Sequence, residues 1–360
     1  MDQNNTTSQK KLLKAIRPQR VIWPVLIGFA VIIFLLSKEF KPDTFASLEF
    51  SILTVFWILI ALMMMALRDF GYMARLRILT EKEFSWRKTF RIIMLWEFTS
   101  ALTPSAIGGT SFAILYLNKE GLSLGRSSAV VMATSFLDEL YFIIMLPLIL
   151  LFLDWEQLFL LNTDGSSPLM SSLLLLVLGA YLLKLAYLIF LSYGLFRNPR
   201  GLKWLLLWLF KMPILRKWKQ GANQAGTDIV ESSRDLKKKN YKFWMKAFLA
   251  SFCSWTARYW VVNSILMAFW CYQYNTMDHI MIFARQLLMW IMMLISPTPG
   301  GSGFSEWVFT QYLGDFIPEA GLAIGLALIW RLISYYPYLF IGMYLLPKWI
   351  KKNFNKKNSA

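Results

Sequence analysis

The apolar residues of this chain fall in long blocks, at about 21–37, 50–67, 128–153, 169–194, 247–271 and 320–346. A helix rises 1.5 Å per residue, so blocks of this length cover the roughly 30 Å of a bilayer's hydrocarbon. Composition agrees: 57% of the residues are hydrophobic and 16% charged, against roughly half and a quarter in soluble domains. The pattern predicts an all-α polytopic membrane protein and excludes a disordered chain. It also excludes a disulfide scaffold, because the two cysteines, Cys253 and Cys271, share one apolar block and are expected as free thiols.

The formal net charge is +17, but the basic residues are spread over the segments between apolar blocks. There each gains about 1 kcal/mol from anionic lipid headgroups, so no nucleic-acid partner is expected. Lys10, Lys11, Lys14, Arg17 and Arg20 precede Val21 to Leu36, and no small-x-small cleavage site follows. This reads as a retained first span with a cytoplasmic N-terminus.

Two further blocks are broken. Ile92 to Leu117 is interrupted by Thr103-Pro104-Ser105-Ala106-Ile107-Gly108-Gly109, and Ile280 to Leu313 by Pro297-Thr298-Pro299-Gly300-Gly301-Ser302-Gly303. Lysine and arginine accumulate on the cytoplasmic side. Residues 68–91 carry seven, 118–127 two, 196–246 thirteen and 347–360 five, whereas 154–168, 272–279 and 314–319 carry none. Were both broken blocks to cross, the segment with thirteen would face outward. If each enters and leaves by one face, the basic segments all lie inside and those without lysine or arginine outside. The expected fold is therefore six spanning helices plus two oppositely oriented re-entrant hairpins forming an inverted repeat. Its halves are about 21–153 and 169–346, with basic cytoplasmic ends at 1–20 and 347–360. Residues 196–246 form a cytoplasmic connector, read as an interfacial amphipathic helix and a short cytosolic helix.

Glu97, Asp138, Glu139, Lys184, Arg258, Arg285, Glu306 and Arg331 lie within apolar blocks. Each costs about 2.5 to 3.5 kcal/mol at the centre of an isolated span, so they must pair or line a wet cavity. Ion pairs that only hold the bundle together are the plain alternative, and Lys184 can snorkel. A half-helix is expected after each Gly-Gly, its free N–H groups suiting an anion near the midplane. The expected ligand-binding set is Thr103, Pro104, Gly108, Gly109, Thr110, Ser111, Pro299, Gly300, Gly301, Ser302 and Gly303. Arg258, Arg285 and Arg331 join it as planar forks for phosphate. Glu97, Asp138, Glu139 and Glu306 are expected to gate the site or meet a headgroup amine. Asp138 and Glu139, adjacent on a helix and about 100° apart, are not expected to share a partner.

Catalysis finds little support. His279 is placed at the outer mouth, and no Cys-His or His-rich spacing suits a metal. Gly303-Phe304-Ser305-Glu306-Trp307 departs from a nucleophile elbow at its closing position, and no Walker A string occurs. No cofactor is expected, and a transporter is favoured over an enzyme.

Several strings resemble the lysylphosphatidylglycerol synthase transmembrane-region family, also called flippase-like or UPF0104. They are Glu97 with Ala101-Leu102-Thr103-Pro104-Ser105-Ala106-Ile107-Gly108-Gly109-Thr110, Glu120-Gly121, Asp138-Glu139, and Ser296-Pro297-Thr298-Pro299-Gly300-Gly301-Ser302-Gly303 with Glu306. In fused members a comparable membrane domain is credited with moving aminoacylated phosphatidylglycerol, which a cytosolic domain makes. The resemblance implies the translocating half without the synthase, in a bacterial inner membrane. The expected function is a lipid flippase holding an anionic phospholipid or polyprenyl-phosphate headgroup at the midplane. The alternative is a membrane enzyme or accessory subunit acting on a lipid-linked precursor. Expected partners are membrane lipids and a separate lipid-modifying synthase.

Overall fold

The computed structural model describes residues 51–103, 106–153, 158, 168–209, 219–270, 273–293, 301, 303–318 and 320–354, and the described elements are all helical. The predicted first span at 21–37 lies outside them. The helices are α1 (Ile52–Leu79), α2 (Trp86–Leu102), α3 (Ala106–Lys119), α4 (Leu124–Leu150), α5 (Pro168–Ser192), α6 (Pro199–Leu209), α7 (Lys219–Lys238), α8 (Tyr241–Trp270), α9 (Thr276–Met293), α10 (Phe304–Leu313), α11 (Ala320–Ser334) and α12 (Tyr336–Phe354). A π-helical turn, Tyr193–Arg197, follows α5. Four stretches are long and apolar enough to cross a membrane: Ile52–Leu79, Leu124–Leu150, Leu178–Arg197 and Leu322–Asn353. The last spans two helices that meet at Tyr335, where a single block had been expected.

Hydroxyl caps set several helix starts by accepting backbone N–H groups left over at the first turn. Ser51 and Thr54 form a reciprocal capping box on α1, Ser85 accepts from Lys88 N, and Ser123 accepts from Arg126 N. The end of α1 differs from expectation. The apolar block stops near 67, but the helix runs on to Leu79, so Arg68 and Arg75 belong to it and not to a cytoplasmic loop. Both arginines are buried, because Ala61, Met65, Arg68, Tyr72, Arg75 and Leu79 share its inward face.

The centre of the bundle is the α1–α8 pair. A methyl group on Gly71 would lie 2.8 Å from Ala250 O and 2.9 Å from Ser254 Cβ, and Ser254 Oγ donates to Arg68 O at 2.7 Å. Small residues let the two backbones meet closely, as in other membrane helix pairs. Both α4 and α11 pack on both members of this pair. On one side α2 packs on α1, with α3 returning along α2 to reach α4. On the other, α9 packs on α8, with α10 returning along α9 to reach α11.

Each hairpin is tied at its base. Lys88 donates to the Glu120 carbonyl, and the Glu120 carboxylate accepts from Trp349 Nε1 at 3.0 Å. In the second hairpin the Tyr274 hydroxyl donates to Phe316 O at 2.5 Å. Helix α12 closes on α2 through Gly342, whose Cα faces the Phe98 ring with no room for a methyl. At the rim, α5 packs chiefly on α4. The connector is α6, with Trp204 and Trp208 exposed, followed by α7 packed on α4.

Candidate functional site

The charged residues in the apolar stretches are sorted into pairs. Lys184 is buried rather than snorkelling, and donates to both Glu139 oxygens at 2.8 and 3.1 Å beneath the rings of Phe142 and Trp290. The neighbouring Asp138 turns to different partners: Arg75 and, at 2.6 Å, the indole N–H of Trp255. Arg75 also donates to Ser251 Oγ at 3.0 Å. Arg68, 1% exposed, contacts Glu97 Oε2 at 2.5 Å and Asp69 Oδ1 at 2.8 Å. Its guanidinium lies between the rings of Tyr72 and Tyr338, and the Tyr338 hydroxyl donates to Asp69. Arg285 contacts Asp315 and the Tyr312 carbonyl, both at 3.1 Å. Arg331 Nε donates to Glu306 Oε1 at 3.0 Å.

Arg68, Asp69 and Arg75 were absent from the sequence-derived set. The structure places the guanidinium groups of Arg68 and Arg75 at 4.5 and 4.8 Å from the centroid of the Tyr72 ring, with Asp69, Glu97 and Asp138 as their carboxylates, and Tyr72 packs edge-on against Trp255. Arg258 is half-buried, with its guanidinium 5.5 Å from the centroid of Trp255. Among the described residues it has no carboxylate and no hydrogen-bond acceptor, unlike Arg68, Arg75, Lys184, Arg285 and Arg331. Two carboxylate oxygens of the same cluster, Glu97 Oε1 and Asp138 Oδ2, accept no hydrogen bond from described groups. The side chains of Glu97 and Asp138 are 22% and 23% exposed while their arginines are buried. Each pair thus turns its acidic edge outward.

The three arginines expected to converge on one phosphate do not share a site: Arg285 and Arg331 are engaged by Asp315 and Glu306. The hairpin tips also depart from expectation. Helix α3 begins at Ala106, before the glycine pair, so Gly109 is inside the helix, while Gly108 falls in the first turn, where backbone amides have no acceptor within the helix. A side chain at Gly109 would strike Ser100, which makes close packing of the two arms its role. Thr103 Oγ1 donates to Thr99 O at 2.9 Å. Thr110 and Ser111 follow on α3.

In the second tip Gly301 and Gly303 take positive φ, 69° and 82°, which glycine adopts without strain. The α10 N-terminus holds an anion already. Gly303 N donates to Glu306 Oε2 at 2.7 Å, and Ser305 Oγ donates to the same oxygen at 2.8 Å. Glu306, 1% exposed, therefore caps its own helix. Pro104, Pro299, Gly300 and Ser302 lie outside the described residues, as does Cys271; Cys253 is a free thiol.

This geometry can be set beside known proteins. The family model described as "Lysylphosphatidylglycerol synthase TM region" matches residues 21–342. The chain is also 26% identical over 298 residues to a "UPF0104 membrane protein" of Archaeoglobus fulgidus, an alignment covering 80% of this chain and 81% of that protein. The chain belongs to the lysylphosphatidylglycerol synthase TM region family.

Proposed function

We propose that this member of the family is a lipid translocase of the cell membrane, and that Arg258 holds the phosphate of the headgroup it moves. The observation that carries the proposal is a guanidinium unpaired among the described residues. Buried ion pairs account for Arg68, Arg75, Lys184, Arg285 and Arg331 as structural charges. They do not account for Arg258. A cation within a span costs about 2.5 to 3.5 kcal/mol, and a planar fork with no acceptor among the described residues suits a phosphate that arrives with the ligand.

The outward edges of Glu97 and Asp138 are assigned to a gating role or to a headgroup amine. Thr110 and Ser111 are assigned to the wall of the path. The paired packing of α1–α2 with α8–α9, of α3–α4 with α10–α11, and of α1–α4 with α8–α11 supports an inverted repeat of six spans and two re-entrant hairpins. Rocking of one repeat against the other would expose the headgroup to each face in turn. Removing Arg68 and Arg75 from the seven basic residues of 68–91 leaves five, so the charge distribution still favours cytoplasmic ends.

The test is transbilayer movement of a fluorescent phosphatidylglycerol in proteoliposomes. Arg258→Gln is expected to slow it at least tenfold, about 1.4 kcal/mol of lost headgroup interaction. Equal rates in the two proteins would remove Arg258 from the transport path.

A further inference from the structure

We propose that the break between α11 and α12 couples the two hairpins, so that the end of α2 and the start of α10 loosen and tighten together. The break has a local cause. Pro337, the second residue of α12, has no backbone N–H to give to the Ile333 carbonyl, and its ring crowds that carbonyl. Helix α11 therefore stops at Ser334 and α12 starts afresh at Tyr336, with Tyr335 between them.

Three side chains at this break, Arg331, Tyr335 and Tyr338, follow one another at four and then three residues, the spacing of one helix face. Each reaches a different element. Arg331 Nε donates to Glu306 Oε1 at 3.0 Å. Through that carboxylate it reaches the first turn of α10, because Glu306 Oε2 accepts from Gly303 N and Ser305 Oγ. The Tyr335 hydroxyl donates to Ala101 O at 3.0 Å, in the last turn of α2, where carbonyls look outside the helix for donors. The Tyr338 hydroxyl donates to both Asp69 oxygens on α1, at 2.9 and 3.0 Å.

The links made by Arg331 and Tyr335 are not independent. The Arg331 guanidinium lies 3.7 Å from the centroid of the Tyr335 ring, and both residues are buried. A phenol hydroxyl lies in the plane of its ring, so its aim at Ala101 O is set by the tilt of that ring. The tilt is set in turn by a guanidinium that Glu306 holds. A buried guanidinium that loses its carboxylate must seek another acceptor, and in moving it leaves the ring face. A ring that loses its carbonyl is free to turn away from the guanidinium. The line from Gly303 N through Glu306, Arg331 and Tyr335 to Ala101 O therefore transmits in both directions, as any coupling between sites must. The Tyr335–Ala101 bond also joins the two halves of the chain, so a motion of one half against the other reaches both hairpins at once.

The test is hydrogen exchange read by mass spectrometry on the full-length protein in detergent, which reports local opening segment by segment. Glu306→Gln keeps a carbonyl acceptor but loses the charge that holds Arg331. It is expected to speed exchange of the amides at 99–103, at the other end of the line, about fivefold. Tyr335→Phe keeps the ring and loses only the hydroxyl. It is expected to speed exchange at 305–310 by about the same factor, and it carries the test alone if Glu306→Gln does not fold. The amides of α4 and α5 around Glu139 and Lys184 are the reference and are expected to keep their wild-type rates. Exchange that rises only in the hairpin whose own bond was removed overturns the coupling. So does exchange that rises equally in the reference helices.

Discussion

Glu306→Ala tests the claim that the second hairpin tip is capped from within. The carboxylate is 1% exposed and takes three donors, Arg331 Nε at 3.0 Å, Gly303 N at 2.7 Å and Ser305 Oγ at 2.8 Å. Its removal takes away the carboxylate to which Arg331, itself buried, donates, and breaking a buried ion pair by removing one partner costs about 3 to 5 kcal/mol. The Gly303 amide loses its acceptor as well, worth about 1 to 3 kcal/mol. The losses share one carboxylate and do not add fully, so about 5 kcal/mol is expected.

Glu306→Gln keeps one carbonyl acceptor and should cost about half as much. The double variant Glu306→Leu with Arg331→Met removes both charges, and replacing a whole buried pair is often close to neutral. The assay is thermal unfolding in detergent, followed by tryptophan fluorescence, with Trp307 and the Trp330–Phe309 stack reporting locally. The expected order of midpoints is wild type, then the double variant, then Gln, then Ala. If Glu306→Ala melted with or above the double variant, Glu306 would not be compensating Arg331, and the α10 N-terminus would again be open to an external anion.

Lys184→Met leaves Glu139, whose side chain is 14% exposed, without its cation and is expected to lower stability by about 3 kcal/mol, with Glu139→Gln in the same chain recovering most of it in the same melt. Gly342→Ala places a methyl group in the Phe98 ring and is expected to cost about 1 to 3 kcal/mol by overpacking. Phe98→Leu added to it should restore part of the loss, and an additive double variant would refute the contact.

Block lengths carried much of the fold, because a span must meet a fixed thickness of hydrocarbon and the requirement is written residue by residue. The predicted blocks 128–153, 169–194 and 247–271 lie on α4, α5 and α8. What hid Arg68, Asp69 and Arg75 was the counting rule itself, which treats a cation beyond an apolar block as a loop residue. Helical spacing held the contrary signal: positions 61, 65, 68, 72, 75 and 79 advance by alternating fours and threes, so one face runs unbroken through both arginines. No such signal distinguishes the uses of Gly108-Gly109. Glycine serves equally for a helix start and for close approach, and the deciding neighbour, Ser100, comes from the other arm of the hairpin.

The sorting of charges into owned and unowned also separates structural residues from ligand-binding ones by a measurement other than transport. A cation with a dedicated carboxylate leaves a stranded partner when removed, so its loss must show in stability. Arg258 has no such partner among the described residues, and its removal strands nothing. Arg258→Gln is therefore expected to change stability by no more than about 0.5 to 1 kcal/mol while abolishing the headgroup's effect on the melt. In the wild type, lipid at a hundredfold excess over its dissociation constant should stabilise the folded protein by about 2.7 kcal/mol; in the variant that increment should vanish. Arg75→Gln makes the opposite pattern, since Asp138 and the Trp255 indole lose the cation between them. If Arg258→Gln proved as damaging to the lipid-free protein as Arg75→Gln, Arg258 would be one more structural charge and the headgroup site would have to be sought elsewhere.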